Sequence, residues 1–171
     1  MKCPQCNHEN FPGEDSCSNC GSDLMDADIT KPKKGFGALI LSDTIEKLAP
    51  PEPLIVKPDS TIKEAVELMI KHGHGSVLVV DNEELIGIFT ERDLLKRVVI
   101  ARLDVNVVKI SEVMTSEPQS LSESDSIAYV LNRMAVHSIR HIPIISNSKV
   151  SGFVSVRGML KYISEHTLEP A

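Results

Sequence analysis

The sequence predicts an α+β fold: two β-α-β-β-α units in tandem behind a small four-cysteine module. Three observations carry this. Residues 45–96 align with 110–161 without a gap, at an offset of 65 that sets Ile45 on Ile110. Helical and strand periodicities follow one another in the same order in each copy. All four cysteines fall at or before Cys20.

The chain has 171 residues, 42% hydrophobic and 25% charged, with a mean hydropathy of -0.04. That suits a soluble chain with one ordinary core and a small appendage. A net charge of -6 and a pI near 5.5 make it a poor general binder of nucleic acid or anionic membrane. Aromatic residues are 4% and Trp is absent, which argues against base-stacking surfaces. No apolar run approaches the ~20 residues that span a bilayer. The opening MKCP has no apolar segment of a secretory signal, so cytoplasm is the expected compartment.

The cysteines read Cys3-x2-Cys6 and, ten residues on, Cys17-x2-Cys20. Two intervening residues let one tight turn aim both sulfurs at one ion, and two such turns complete a tetrahedral site. Gly21 follows the second pair and Asn7 the first, residue types that tolerate positive φ. So short a segment has no useful core, and the metal would supply most of its folding free energy. Zn²⁺ is favoured, iron has the same ligand geometry, and the competing reading is two local disulfides or reduced thiols. The strings MKCPQCNHEN and CSNCGSDL in residues 1–22 resemble a short zinc ribbon. His8 is read as an exposed loop residue. Glu9, Glu14 and Asp15 oppose phosphate, which favours protein contact or a purely structural role. Residues 23–41 read as a linker, with charge, Pro and Gly at Lys31-Pro32-Lys33-Lys34-Gly35 and a short entering helix at 38–41.

The repeated units then occupy 42–106 and 107–171. Asp59-Ser60 and Ser124-Asp125 are N-cap material. Ile62, Ala65, Val66, Met69 and Ile70, and then Ile127, Val130, Leu131, Met134 and Ala135, are expected on one buried helical face. Strands are expected at 76–80 and 141–145, polar turns at 81–84 and 146–149, and second strands at 85–89 and 150–154. A final helix follows from Thr90 or Ser155. Short extended stretches at 53–56 and 118–121 open the units.

GIFTERDLL (87–95), SEVMTSEPQSL (111–121), IRHIPII (139–145) and GFVSVRGML (152–160) in this element order resemble a tandem pair of CBS domains packed as a pseudo-twofold pair. The resemblance covers about three quarters of the chain. It implies a regulatory module that holds AMP, ADP, ATP or S-adenosylmethionine in clefts between the halves, and a homodimer. It assigns the ribose to Asp93 and the sugar or phosphate to Thr90. In related pairs the Thr-x-x-Asp of one copy works with strands of the other. That points to Thr115, Pro118, Gln119 and Ser120, and to Ile139, Arg140, His141 and Pro143, with Arg140 and His141 as phosphate donors. Arg92 is expected at phosphate, between subunits or in an exposed ion pair. Independently, Thr90-x-x-Asp93 is close to a helix capping box, and a helix start favours polar ligands.

The second copy keeps Ser155 but has Gly158 for the carboxylate, and Gly75 and Ser76 of the first copy carry no cation. One good site and one weak or vacant one are therefore expected. The leading function is a non-catalytic sensor with an unidentified protein partner. The alternative is a nucleic-acid or transcription-associated adapter in which the CBS pair is a dimerisation scaffold. Electron transfer through iron is a further reading. An enzyme is disfavoured by the lack of a nucleophile–base pair or convergent carboxylates.

Overall fold

A computed structural model describes residues 2–11, 14–24 and 36–167. The basic patch of the linker, 31–35, lies outside the described residues. In chain order the elements begin with α1 (Phe36–Ser42), a 3-10 turn (Ile45–Leu48), β1 (Ile55–Val56), α2 (Ile62–His72), β2 (Ser76–Asp81) and β3 (Glu84–Thr90). Next come α3 (Glu91–Asp93), which continues as a π-helical stretch (Leu94–Val99), a 3-10 turn (Ile110–Glu112), β4 (Thr115–Ser116) and β5 (Leu121–Ser122). The chain closes with α4 (Ile127–His137), β6 (His141–Ser146), β7 (Lys149–Ser155) and α5 (Val156–Thr167). The mixed α/β order and the short entering helix are as the sequence predicts. The N-caps are Thr61 and Ser126, one residue past the expected pairs, and their hydroxyls accept from Glu64 N and Tyr129 N.

Both hairpins turn on two residues in the left-handed region, Asn82 and Glu83 (φ 47° and 69°), then Asn147 and Ser148 (φ 50° and 64°). That geometry matches the twist of the paired strands. One sheet has the order β1-β2-β3-β4 and the other β5-β6-β7. The difference has a chemical reason. β4 adds to β3 through Gly87 opposite Ser116 and Ile88 opposite Thr115. The offset of 65 places Pro50 and Pro51 where the second copy has Thr115 and Ser116, and proline has no N–H to extend a ladder.

The described residues pack into two compact units, one of 51–120 and 143–153, the other of those within 1–50, 121–142 and 154–167. Within the first, the segment leading into the second repeat closes on α2. Ile62 N donates to Val108 O at 3.1 Å and Ile110 N donates to Ser60 O at 2.8 Å. Within the other, the segment leading into the first repeat closes on α4. Ile127 N donates to Asp43 O and Ile45 N to Asp125 O, each at 2.9 Å. These four bonds correspond pairwise under the offset of 65, so the two repeats exchange their leading segments. Ile45 and Ile110 are both 0% exposed. Ile110 joins a core of Val56, Ile62, Ala65, Met69, Val77, Val79, Phe89, Val98 and Val113.

The exchange has a polar anchor at α5. The Tyr162 hydroxyl donates to Asp43 Oδ2 at 2.7 Å in a buried contact, and Lys47 Nζ lies 3.2 Å from Asp43 Oδ1. Burial first, then this bond, pushes the Tyr162 phenol up to about 12. Asp43 is held below the usual carboxylate range by the Tyr162 hydroxyl first, against burial, with Lys47 adding. Its contribution to stability is fully present above about pH 3.9, the ordinary carboxylate value, and is lost as pH falls through the lower folded value. Ile110→Ala should cost about 2–5 kcal/mol, read as a lower urea midpoint at unchanged slope. Tyr162→Phe should cost about 1–3 kcal/mol at neutral pH and flatten the acid limb of the stability profile.

Candidate functional site

The four-cysteine module is built from two matching knuckles. Cys3 N donates to His8 O at 2.8 Å and Asn7 N to Cys3 O at 2.9 Å. In the second, Cys17 N donates to Ser22 O at 2.7 Å and Gly21 N to Cys17 O at 2.8 Å. Asn7 and Gly21 take φ of 61° and 70°, the conformation that the sequence assigns to them. Asn10, 6% exposed, ties the knuckles together, since its Nδ2 donates to His8 O and its Oδ1 accepts from Ser18 N, each at 3.0 Å. Sequence reading missed Asn10, because a single Asn in a loop has no local signal.

The four Sγ atoms lie within 4.8 Å of one another, with Cys3–Cys20 at 3.7 Å and Cys6–Cys17 at 3.5 Å. Sulfurs about 2.3 Å from one ion at tetrahedral corners stand about 3.8 Å apart, so the set fits a four-thiolate ion. Burial pushes the Cys3 and Cys6 thiols up, Cys6 to about 12. At Cys17 burial is outweighed by backbone N–H groups of Cys20 and Asn19 and by Asn10, which bring it to about 6. A cation that displaces the remaining protons stabilises all the thiolates together. The module has the geometry of a zinc ribbon. His8 is exposed and outside the cluster.

A second cluster sits where β3 runs into α3. Thr90 N and Thr90 Oγ1 donate to Asp93 Oδ2 at 3.0 and 2.7 Å, and Asp93 N returns a bond to Thr90 Oγ1 at 3.3 Å. The capping box is thus fully formed. Asp93 is only 8% exposed. Its other oxygen, Oδ1, has the longer contacts: Thr115 Oγ1 donates at 3.3 Å and Arg97 Nε lies at 3.5 Å. Arg97 Nη1 also donates to Val113 O at 3.0 Å and to Met114 O. Arg97 escaped the sequence reading, although its i, i+4 spacing from Asp93 is a recognised ion-pair spacing. Met114 packs against the bare backbone of Gly87, where an added Cβ would make its thioether move.

Thr90, Asp93 and Thr115 are therefore one hydrogen-bonded group. Pro118 is half-buried and Gln119 and Ser120 are exposed, in the loop after β4 of the same unit. Arg92 is exposed. Ile139 is half-buried and Arg140 exposed at the entry to β6; His141 is half-buried within the strand and Pro143 is buried. The helix expected from Thr90 is α-helical for Glu91–Asp93 only and then widens, with Ile100 N bonded to Leu95 O at 3.3 Å.

In the second copy, Gly158 N donates to Ser155 Oγ at 3.2 Å, half of a capping box with no carboxylate to complete it. Tyr162 stands at the position of Arg97 and is spent on Asp43.

Two β-α-β-β-α units in register, each closed by the other's leading segment and one of them carrying a Thr–Asp corner with a buried carboxylate, define a paired-module protein. A family model for the CBS domain matches residues 45–100 and again 110–165, and the chain belongs to that family. It is 33% identical over 132 residues to an uncharacterized 17.7 kDa protein of Acidianus ambivalens, covering 75% of this chain and 79% of that one. An uncharacterized conserved protein from Pyrococcus horikoshii has the same fold at 28% identity and a TM-score of 0.66, over 75% of this chain and 96% of its own. The CBS domain pair of MJ0100, solved with 5′-methylthioadenosine and S-adenosyl-L-methionine, matches at 23% identity and a TM-score of 0.64, over 72% and 97%. Among the described residues no helix is long and apolar enough to cross a membrane.

The unfinished cap of α5 is testable. A Cβ at Gly158 would meet only Ser155 Oγ, at 3.6 Å. Gly158→Asp should therefore complete the box and stabilise the protein by about 1 kcal/mol, seen as a higher thermal midpoint.

Proposed function

We propose that the chain is a non-catalytic cytoplasmic sensor that binds one adenosyl ligand per chain (AMP, ADP, ATP or S-adenosylmethionine) at the Thr90–Asp93–Thr115 corner. The observation that carries this is the division of labour on Asp93. Oδ2 is committed to the cap at 2.7 and 3.0 Å, whereas Oδ1 keeps only contacts of 3.3 and 3.5 Å. A ribose diol offers two hydroxyl donors to that second oxygen and can replace the weaker partners without opening the cap. That a pair of the same fold holds adenosyl ligands supports the choice of ligand class. The Ser155 corner has no carboxylate, so the reading gives it no ribose clamp. Arg140 and His141 remain proposed phosphate donors.

The same reading gives the four cysteines Zn²⁺ and the ribbon a protein contact, and makes the CBS pair a homodimer. Ligand binding signals only through different affinities for two arrangements of the protein.

Calorimetry with AMP, ADP, ATP, S-adenosylmethionine and NADH should find a ligand at one site per chain, and Asp93→Ala should weaken it by at least about tenfold, the loss of a charge-assisted contact. Arg140→Ala should weaken a nucleotide more than S-adenosylmethionine. Binding by none of the five, or equal binding by Asp93→Ala, overturns the site. The purified chain should be colourless with one zinc per chain, and Cys17→Ser should lose it.

A further inference from the structure

The two repeats differ most on the outer face of their first helices. α2 buries Ile62, Ala65 and Met69, whereas α4 buries Ile127, Ala128, Tyr129, Val130 and Met134. Lys63, Glu64 and Glu67 are exposed on α2, and under the offset of 65 their counterparts are buried Ala128, buried Tyr129 and half-buried Asn132. Three charged positions have become Ala, Tyr and Asn on a second covered face. Both α1 and the ribbon lie against α4. Ser126 Oγ donates to Gln5 O, in the first knuckle, at 3.3 Å.

Two further features mark the contact. Gln5 Oε1 on the ribbon, and Asn132 Oδ1 and Arg133 Nε on α4, are buried without a hydrogen-bond partner. The Arg133 guanidinium lies 5.8 Å from the centre of the Tyr129 ring. A divalent ion in four thiolates leaves a net charge of about -2, opposite in sign to Arg133.

We propose that the ribbon docks on the 126–133 face of α4 only while it holds its ion, so that the metal state of the N-terminal module controls the outer face of the second repeat. This rests on the metal-site reading above and is independent of the adenosyl site. Without the ion the knuckles lose the interaction that folds them, and the Gln5 carbonyl and the thiolate charge leave the helix together. Tyr129 and Asn132 then face solvent, a surface that α2 does not have.

Hydrogen exchange on the full chain, zinc-loaded and then chelated, tests this with zinc measured in parallel. Chelation should raise exchange in 127–137 by about tenfold, the response of a locally opened element, and leave 62–72 unchanged. Arg133→Glu should retain one zinc and yet show the fast exchange of the chelated chain. Stoichiometric zinc with equal protection of 127–137 before and after chelation overturns the docking. So does an equal rise in 62–72, which would mean general destabilisation. Less than one zinc per chain overturns the metal reading and the docking with it.

Discussion

The structure depends on a crossed closure: the backbone of Ile110 bonds to Ser60, and that of Ile45 to Asp125. Each repeat has an amphipathic helix whose first turn needs partners for its N–H groups and whose inner face needs a lid. Neither repeat supplies that lid from its own leading segment. Ile62 N finds Val108 O and Ile127 N finds Asp43 O, so the carbonyls that finish each helix come from the approach to the other copy. A single repeat cut at its sequence boundary would expose both the isoleucine socket and these donors. The tandem is therefore the folding unit, which is why the compact units of the structure do not follow the order of the repeats.

Much of this was legible. The ungapped offset carried element order and both hairpin turns, because each is a local pattern repeated under the same physics. The buried helix faces are narrower than expected, since Ile70 is 75% exposed and Ala135 is exposed, one at the same place in each helix. The cysteine spacing, with Asn7 and Gly21, was equally local. What escaped was long-range or relational. No local signal pairs residue 45 with 125, or puts the Asn10 side chain between two knuckles. The widened turn after Asp93 is read from no motif either. Leu94, Leu95, Val98 and Val99 suit a regular helix, and the departure appears only with Arg97 bonded to the Val113 and Met114 carbonyls. The unequal strand number of the two sheets was not foreseen either, although Pro50 and Pro51 stand where the second copy has Thr115 and Ser116.

The copies have diverged where polar chemistry is concentrated. At one helix start, Asp93 closes the cap with one oxygen and meets Thr115 and Arg97 with the other. At the other, Gly158 leaves the cap half made. Four residues on, Arg97 serves the Asp93 corner, whereas Tyr162 is fixed to Asp43 and holds the leading segment in place. The second copy thus has no charge at these two places and has a structural hydroxyl instead.

The same logic extends to the outer faces. α2 keeps Lys63, Glu64 and Glu67 in solvent, the ordinary dress of an exposed helix. α4 has replaced them with Ala128, Tyr129 and Asn132, a substitution that would cost solubility if the face were bare. Both α1 and the ribbon lie against this helix, and Ser126 at its start bonds to the Gln5 carbonyl of the ribbon. The copies are thus set apart by chemistry as well as by order: the first has a polar corner at Asp93, and the second has a less charged helix face beside the ribbon.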